Sequence, residues 1–133
     1  AGLLAGSVVP GIISFLAPGN ERLVENYNKE FCDDTTGTWL TAWCSGEAHL
    51  GSDGKNYNDI TVHHKAKATK VDGGWNLNGT KSAFVSNGGV AKALVIFACG
   101  YPERGLKGTG MFVVDGSMMP NKVAAAPASP AAW

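Results

Sequence analysis

Ile60-Thr61-Val62-His63-His64-Lys65-Ala66-Lys67-Ala68-Thr69-Lys70-Val71, followed by Asp72-Gly73-Gly74 and Trp75-Asn76-Leu77, is the stretch that decides the fold class. Ile60, Val62, His64, Ala66 and Ala68 fall on one side of an extended chain. Thr61, His63, Lys65, Lys67 and Thr69 fall on the other. That is the period of a half-buried strand. Asp72-Gly73-Gly74 predicts a hairpin turn, because glycine accepts the positive φ that tight turns require. Trp75-Asn76-Leu77 then begins the returning strand, and Asn78-Gly79 is a second turn signal.

The same vocabulary continues on both sides. Thr38-Trp39-Leu40-Thr41-Ala42-Trp43-Cys44 is rich in the β-branched and aromatic residues that strands favour. Ala93 to Ala98 is a continuous apolar run, the pattern of a central strand, and Gly110 to Asp115 reads as the last one. Eighteen glycines in 133 residues separate these segments. Many short strands with glycine turns predict a mainly β fold, an antiparallel barrel-like domain preceded by short N-terminal helices.

Residues 1 to about 31 read as helical. Pro18-Gly19-Asn20 interrupts the apolar run, and Asn20 is placed to cap a second helix by accepting an unpaired backbone N–H. Glu21 sits at that helix's positive end. Leu23, Tyr27 and Phe31 recur every four residues and predict one buried stripe. Ala1 to Ala17 is apolar but contains Pro10 and is shorter than the roughly 20 residues a spanning helix needs. It carries no basic flank, so a buried helix pair or an interior segment of a longer protein is the expectation, not a leader or a membrane span. The Ala/Pro-rich tail, Val123 to Trp133, reads as linker-like. The expected organisation is therefore a helical segment over 1–34, a β domain over 35–120 and a tail over 121–133.

Acidic and basic residues balance at 11 each, which gives no field for nucleic acid or an anionic membrane. Cys32, Cys44 and Cys99 are odd in number and lack CxxC spacing. They predict free thiols in a reducing, cytoplasmic setting, not a zinc site. His63 and His64 point to opposite faces of a strand and cannot share one metal.

Two polar-aromatic segments carry the chemistry: Trp43-Cys44-Ser45-Gly46-Glu47-Ala48-His49-Leu50-Gly51-Ser52-Asp53 and Asn78-Gly79-Thr80-Lys81-Ser82-Ala83-Phe84-Val85-Ser86-Asn87-Gly88-Gly89. Separated by strands, they can line one pocket for a flat, hydrogen-bonding ligand. In order, spacing and intervening pattern the pair resembles the middle-domain signature of the flavin-dependent acyl-CoA dehydrogenases, over about Gly11 to Asp115. Glu47 and Gly51-Ser52-Asp53 match the first motif of that family. Asn78, Gly79, Lys81, Phe84, Val85, Ser86 and Asn87 match the second.

The resemblance implies that Trp43, Ser45 and Gly46 hold the pyrimidine edge of FAD at the end of one strand. Phe84, with Val85 and Ser86 at the end of a later strand, would flank the ring, and the Ser86 hydroxyl would meet the reactive N5. Gly51 and Ser52 would meet the thioester arm of an acyl-CoA. The implied reaction is α,β-dehydrogenation of an acyl-CoA thioester, with electrons passing to electron-transferring flavoprotein and a homo-oligomer completing the site. There are departures. Gly46 stands where a hydroxyl residue is usual, a loss of about 0.5–1.5 kcal/mol in flavin binding. Ala48 replaces a proline, one extra residue separates Lys81 from Phe84, and Lys92 stands where an acidic residue often does. The family's catalytic base lies in a C-terminal helical domain, and nothing after Asp115 is long enough to supply it. No catalytic residue is therefore assigned: the resemblance implies a structural role for Glu47, and a turn carboxylate by itself reads as solvated or capping.

Each aromatic also has a plainer reading. Trp39 and Trp75 read as core, Trp43 as core or pocket wall, and Phe84 as a strand residue that is core unless the motif holds. Two other functions stay open: a β-barrel that binds a ligand without redox chemistry, and an inactive, self-associating fragment.

Overall fold

The structure is a computed structural model that describes Ile13 and residues 19–119. The helical reading of the remaining N-terminal residues and the linker reading of the tail lie outside the described residues. Contacts divide the described chain into two units: 19–43 with Ser86–Leu94 and 114–119, and Cys44–Val85 with Val95–Val113.

In the first unit, Asn20 caps α1 (Glu21–Leu23) as expected, its Oδ1 accepting from the Leu23 N–H at 3.1 Å. A π-helical stretch, Val24–Lys29, follows and passes into α2 (Glu30–Asp33). This wider winding changes the expected stripe. Leu23, Tyr27 and Phe31 are only half-buried, and Asn28 is turned inward to 9% exposure. After α2, Asp34 ends the helix. Its carboxylate accepts from Thr36 Oγ1 at 2.5 Å, Thr36 N at 2.8 Å and Trp39 N at 2.6 Å. The Thr36 side-chain bond and these backbone bonds hold its carboxyl down at about 2. Trp39 is buried, as predicted. Its indole Nε1 donates to Glu30 Oε2 at 3.0 Å, and its ring meets Phe31 edge-on at 5.6 Å. Because Asp34 captures this approach, β1 begins only at Thr41 and runs Thr41–Cys44, shorter than the predicted 38–44.

The second unit holds the hairpin. β2 (Lys67–Val71) and β3 (Gly74–Asn78) pair antiparallel, from Lys67↔Asn78 to Val71↔Gly74. Gly73 makes the turn at φ 74°. His64, Ala66 and Ala68 are buried in the expected alternation. Ile60 is not: the Asp59 carboxylate accepts from Thr61 N and Thr61 Oγ1, a turn forms, and Ile60 points outward. Trp75 is 42% exposed near the hairpin tip rather than in the core, with its ring edge-on to Phe112 at 5.5 Å. The local core is small-residued, Ala66, Ala68 and Ala98, covered by Leu77 and Phe112.

β4 (Ala93–Cys99) is the central strand, buried at every position but Phe97. β5 (Thr109–Asp115) pairs with it, as does β1, and the strand order is β1-β4-β2-β3. The β2–β4 link, at Lys67↔Cys99, is parallel, with Cys99 N donating to Ala66 O at 2.7 Å. The fold is mainly β, but the predicted antiparallel barrel needs correction: the sheet is mixed, and among the described strands it is not closed. A parallel neighbour of this kind pairs residues far apart in sequence, which alternation alone does not reveal. No helix among the described residues is long and apolar enough to cross a membrane.

Candidate functional site

Both motif segments contribute to the second unit, and there they meet. Ser82 N donates to Gly46 O at 2.9 Å. Beside that bond, Lys81 Nζ donates to Glu47 Oε1 at 2.6 Å. Glu47 is only 6% exposed. Its carboxylate also accepts from Lys65 N at 2.7 Å and Ala66 N at 3.2 Å, and His64 Nδ1 lies 3.2 Å from Oε1. His49 Nδ1 approaches Oε2 at 3.5 Å from the exposed turn.

Glu47 is thus structural, as the resemblance implies, and not the solvated group that a turn carboxylate by itself suggests. A carboxylate taken out of water must be neutralised or paired, and here the turn is folded inward so that one group ties together three parts of the chain. Burial by itself pushes the Glu47 carboxyl up. The Lys81 ammonium and the Lys65 and Ala66 N–H groups outweigh that and hold it below its usual value, so it stays ionised. Locked by these donors, it is not a candidate base. His64 is held neutral: burial lowers its imidazole first, the Lys81 charge adds to that, and Glu47 opposes only in part. Nδ1 lies 3.3 Å from Lys81 Nζ. Oε1 already takes Lys81 and Ala66, so Nδ1 is best used as an acceptor from the ammonium, which leaves the proton on Nε2.

Backbone geometry makes room for this cluster. Gly79 has φ 149°, and a Cβ there would stand 2.5 Å from Ala66 Cα. Only glycine lets the chain leaving β3 pass so close to β2 and bring Lys81 over Glu47.

The other expected residues are placed as follows. Trp43 is half-buried on β1. Ser45 and Gly46 follow that strand and are half-buried. A Cβ on Gly46 would touch Ser82 Cβ at 3.4 Å. Phe84 does not end a strand. It lies in a turn, with its backbone N–H on Ser82 Oγ at 3.3 Å, and its side chain is 94% exposed. Val85 is half-buried and Ser86 exposed. Trp43 and Ser86 belong to the first unit; Ser45, Gly46, Phe84 and Val85 belong to the second. Gly51 and Ser52 are exposed. Gly51 spends its N–H on Asp53 Oδ1 at 2.8 Å and its carbonyl on Gly54 N at 3.0 Å.

All three cysteines are free. Burial pushes the Cys44 thiol up to about 11 and raises Cys99 as well, so neither supplies a thiolate. A groove of about 650 Å³ lies in the first unit, lined by Tyr27, Glu30, Trp39, Lys92, Asp115 and Ser117 among others. None of the flavin residues expected from the motifs is among its described lining. Its walls are mainly polar, and its indole N–H is already spent on Glu30. The motif segments are therefore the better candidate site.

No protein-family model matches the chain. Curated relatives do. The chain is 32% identical over 113 residues to a cyclohex-1-ene-1-carbonyl-CoA dehydrogenase of Geobacter metallireducens, covering 85% of this chain and 27% of that protein. A protein of the same description from Syntrophus aciditrophicus is 32% identical over 79% of this chain and 23% of its own length. The mitochondrial isovaleryl-CoA dehydrogenase of Arabidopsis thaliana is 36% identical over 62% of this chain and 18% of that protein. Among solved structures, PigA with FAD and proline superposes with a TM-score of 0.62 at 27% identity, over 86% of this chain and 26% of that one. The prolyl acyl carrier protein oxidase AnaB gives 0.63 at 27% identity over the same shares. The chain belongs to the acyl-CoA dehydrogenase family. It spans about a quarter of the length of the first two curated relatives.

Proposed function

We propose that this chain is the flavin- and acyl-CoA-binding middle domain of an acyl-CoA dehydrogenase, acting in FAD-dependent α,β-dehydrogenation of acyl-CoA thioesters. The single observation that carries this reading is Phe84. A large aromatic ring at 94% exposure, with its turn fixed by Ser82 Oγ, leaves its faces uncovered among the described residues. An exposed aromatic face of this kind is a surface that a flat ring can stack on. The isoalloxazine of FAD has that shape, and Ser45 and Gly46 supply half-buried polar groups on the segment bonded to Ser82. The relation to acyl-CoA dehydrogenases and the likeness to an FAD complex support the same ligand.

In this reading Trp43, Ser45 and Gly46 would hold the pyrimidine edge, Phe84 and Val85 would flank the ring, and the Ser86 hydroxyl would donate toward N5. When bound, FAD supplies the acceptor for the substrate's β hydride. Ser52, with Gly51 shaping its turn, meets the thioester arm. No residue is assigned as base, since Glu47 is locked in its cluster. Electron-transferring flavoprotein as acceptor, a homo-oligomeric assembly and a cytoplasmic location complete the reading.

Titrating the chain with FAD while following flavin fluorescence tests it. Saturable quenching, reversed by Ser86→Ala and Phe84→Ala, is expected. A linear, unsaturated response would contradict it, and would leave a non-redox binding domain as the better description.

A further inference from the structure

The Glu47 cluster has a cost and a consequence. Glu47 and the Lys81 side chain are 2% and 13% exposed, and removing both charges from water is expensive. Neutral apolar residues of similar size often stabilise a fold as well as such a pair does. What an apolar replacement does not reproduce is direction. Lys81 Nζ must lie where Glu47 Oε1 is, and Glu47 is itself fixed by Lys65 N and Ala66 N at the entrance to β2. From Lys81 the constraint passes along the chain. Ser82 N is bonded to Gly46 O, and Ser82 Oγ receives the Phe84 N–H. A clasp at Glu47–Lys81 thus fixes Gly46 and Phe84 with respect to each other.

We propose that Lys81 and Glu47 are positioning residues for the flavin: their ion pair sets the spacing between Ser45-Gly46 and Phe84 before the cofactor arrives. This rests on the flavin-binding reading above. Pre-setting a site lowers the ordering cost of binding, so the clasp acts on affinity and not only on folding. The groups facing it are His64, which touches both partners, and His49 at the rim, with the Phe97 ring 6.0 Å from His64.

The experiment uses the full 133-residue chain, wild type, Lys81→Met and the neutral pair Glu47→Gln/Lys81→Met. FAD affinity is measured well below each variant's melting temperature, so that every sample is folded. Amide exchange is followed over residues 79–86 and over the β2–β3 hairpin. The clasp predicts about tenfold weaker FAD binding in both variants, and about tenfold faster exchange at Ser82 to Val85 with the hairpin unchanged. The neutral pair should recover melting temperature without recovering affinity. If exchange at Ser82 to Val85 stays at the wild-type rate, there is no clasp. If exchange rises while affinity holds, the pair is structural only and the positioning role is overturned. Should the wild-type chain bind no FAD, the flavin reading itself fails and the positioning role goes with it, a result distinct from the other two.

Discussion

Lys81 and Phe84 stand in one short loop and are treated in opposite ways. The lysine, the more polar of the two, is drawn inward onto Glu47 and His64, and its side chain is 13% exposed. The phenylalanine, the more apolar, is left 94% in water. Hydrophobicity alone predicts the reverse. The inversion separates two jobs within one motif. Lys81 satisfies an internal partner that is already present. Phe84 sits in a turn held by Ser82 Oγ, with its ring open to solvent, where the proposed function puts the flavin.

Breaking the inner half should have the largest effect. Lys81→Met strands an ionised carboxylate that keeps only its N–H donors, and loss of one partner of a buried pair costs about 3–5 kcal/mol. Urea denaturation should show a fall in that range, and a change under about 1 kcal/mol would mean the pair is effectively solvated.

The same half responds to acid. His64 has its folded pKa below the ordinary 6.5, and Glu47 below 4.5. In each case the folded state binds protons more weakly than the unfolded chain, so both groups lend stability at neutral pH that is lost as pH falls. Melting temperature should therefore begin to drop below about pH 6.5, where the unfolded chain takes up the His64 proton first, and drop further below about 4.5, where it does the same at Glu47. His64→Gln should remove the first step. A melting curve for that variant with an unaltered first step would assign the titration to another group.

A second exposed aromatic sharpens the contrast. Trp75 is 42% exposed, yet its ring packs edge-on to Phe112. Trp75→Ala should cost about 1–2 kcal/mol of stability with FAD affinity unchanged. Phe84→Ala should do the opposite. Its stability should stay within about 0.5 kcal/mol of wild type, as for a surface substitution, while FAD binding weakens about tenfold. Equal effects of the two on affinity would remove the distinction.

Much of the scaffold was legible because local chemistry governs it. Gly73 turns the hairpin, Asn20 caps its helix, and the apolar run from Ala93 marks the central strand. What escaped depended on distant partners or on local capture by side chains. Asp59 takes hold of Thr61 and delays β2, which exposes Ile60. Asn87, at φ 62°, accepts from Val90 N and Ala91 N and keeps the segment after Phe84 in turns where a strand end was expected. The π-helical winding rotates Asn28 inward, against a stripe reckoned at the ordinary helical period. The parallel Lys67↔Cys99 link is long-range, so alternation could not report it. The partners of Glu47 were hidden for the same reason, since they lie 17 to 34 residues away. A signal was present nonetheless: each of the two motifs that the chain brings together carries one charge of opposite sign near its start, Glu47 and Lys81.

The central claim is that the two motif segments embrace one flavin. Amide and indole chemical-shift mapping of the isotope-labelled chain during FAD addition tests it most directly. The account predicts the largest shifts at Trp43, Ser45, Gly46, Phe84 and Ser86, with the Asp72-Gly73 turn silent. Shifts confined to the Glu30–Lys92 groove, or none at all under saturating FAD, would contradict it.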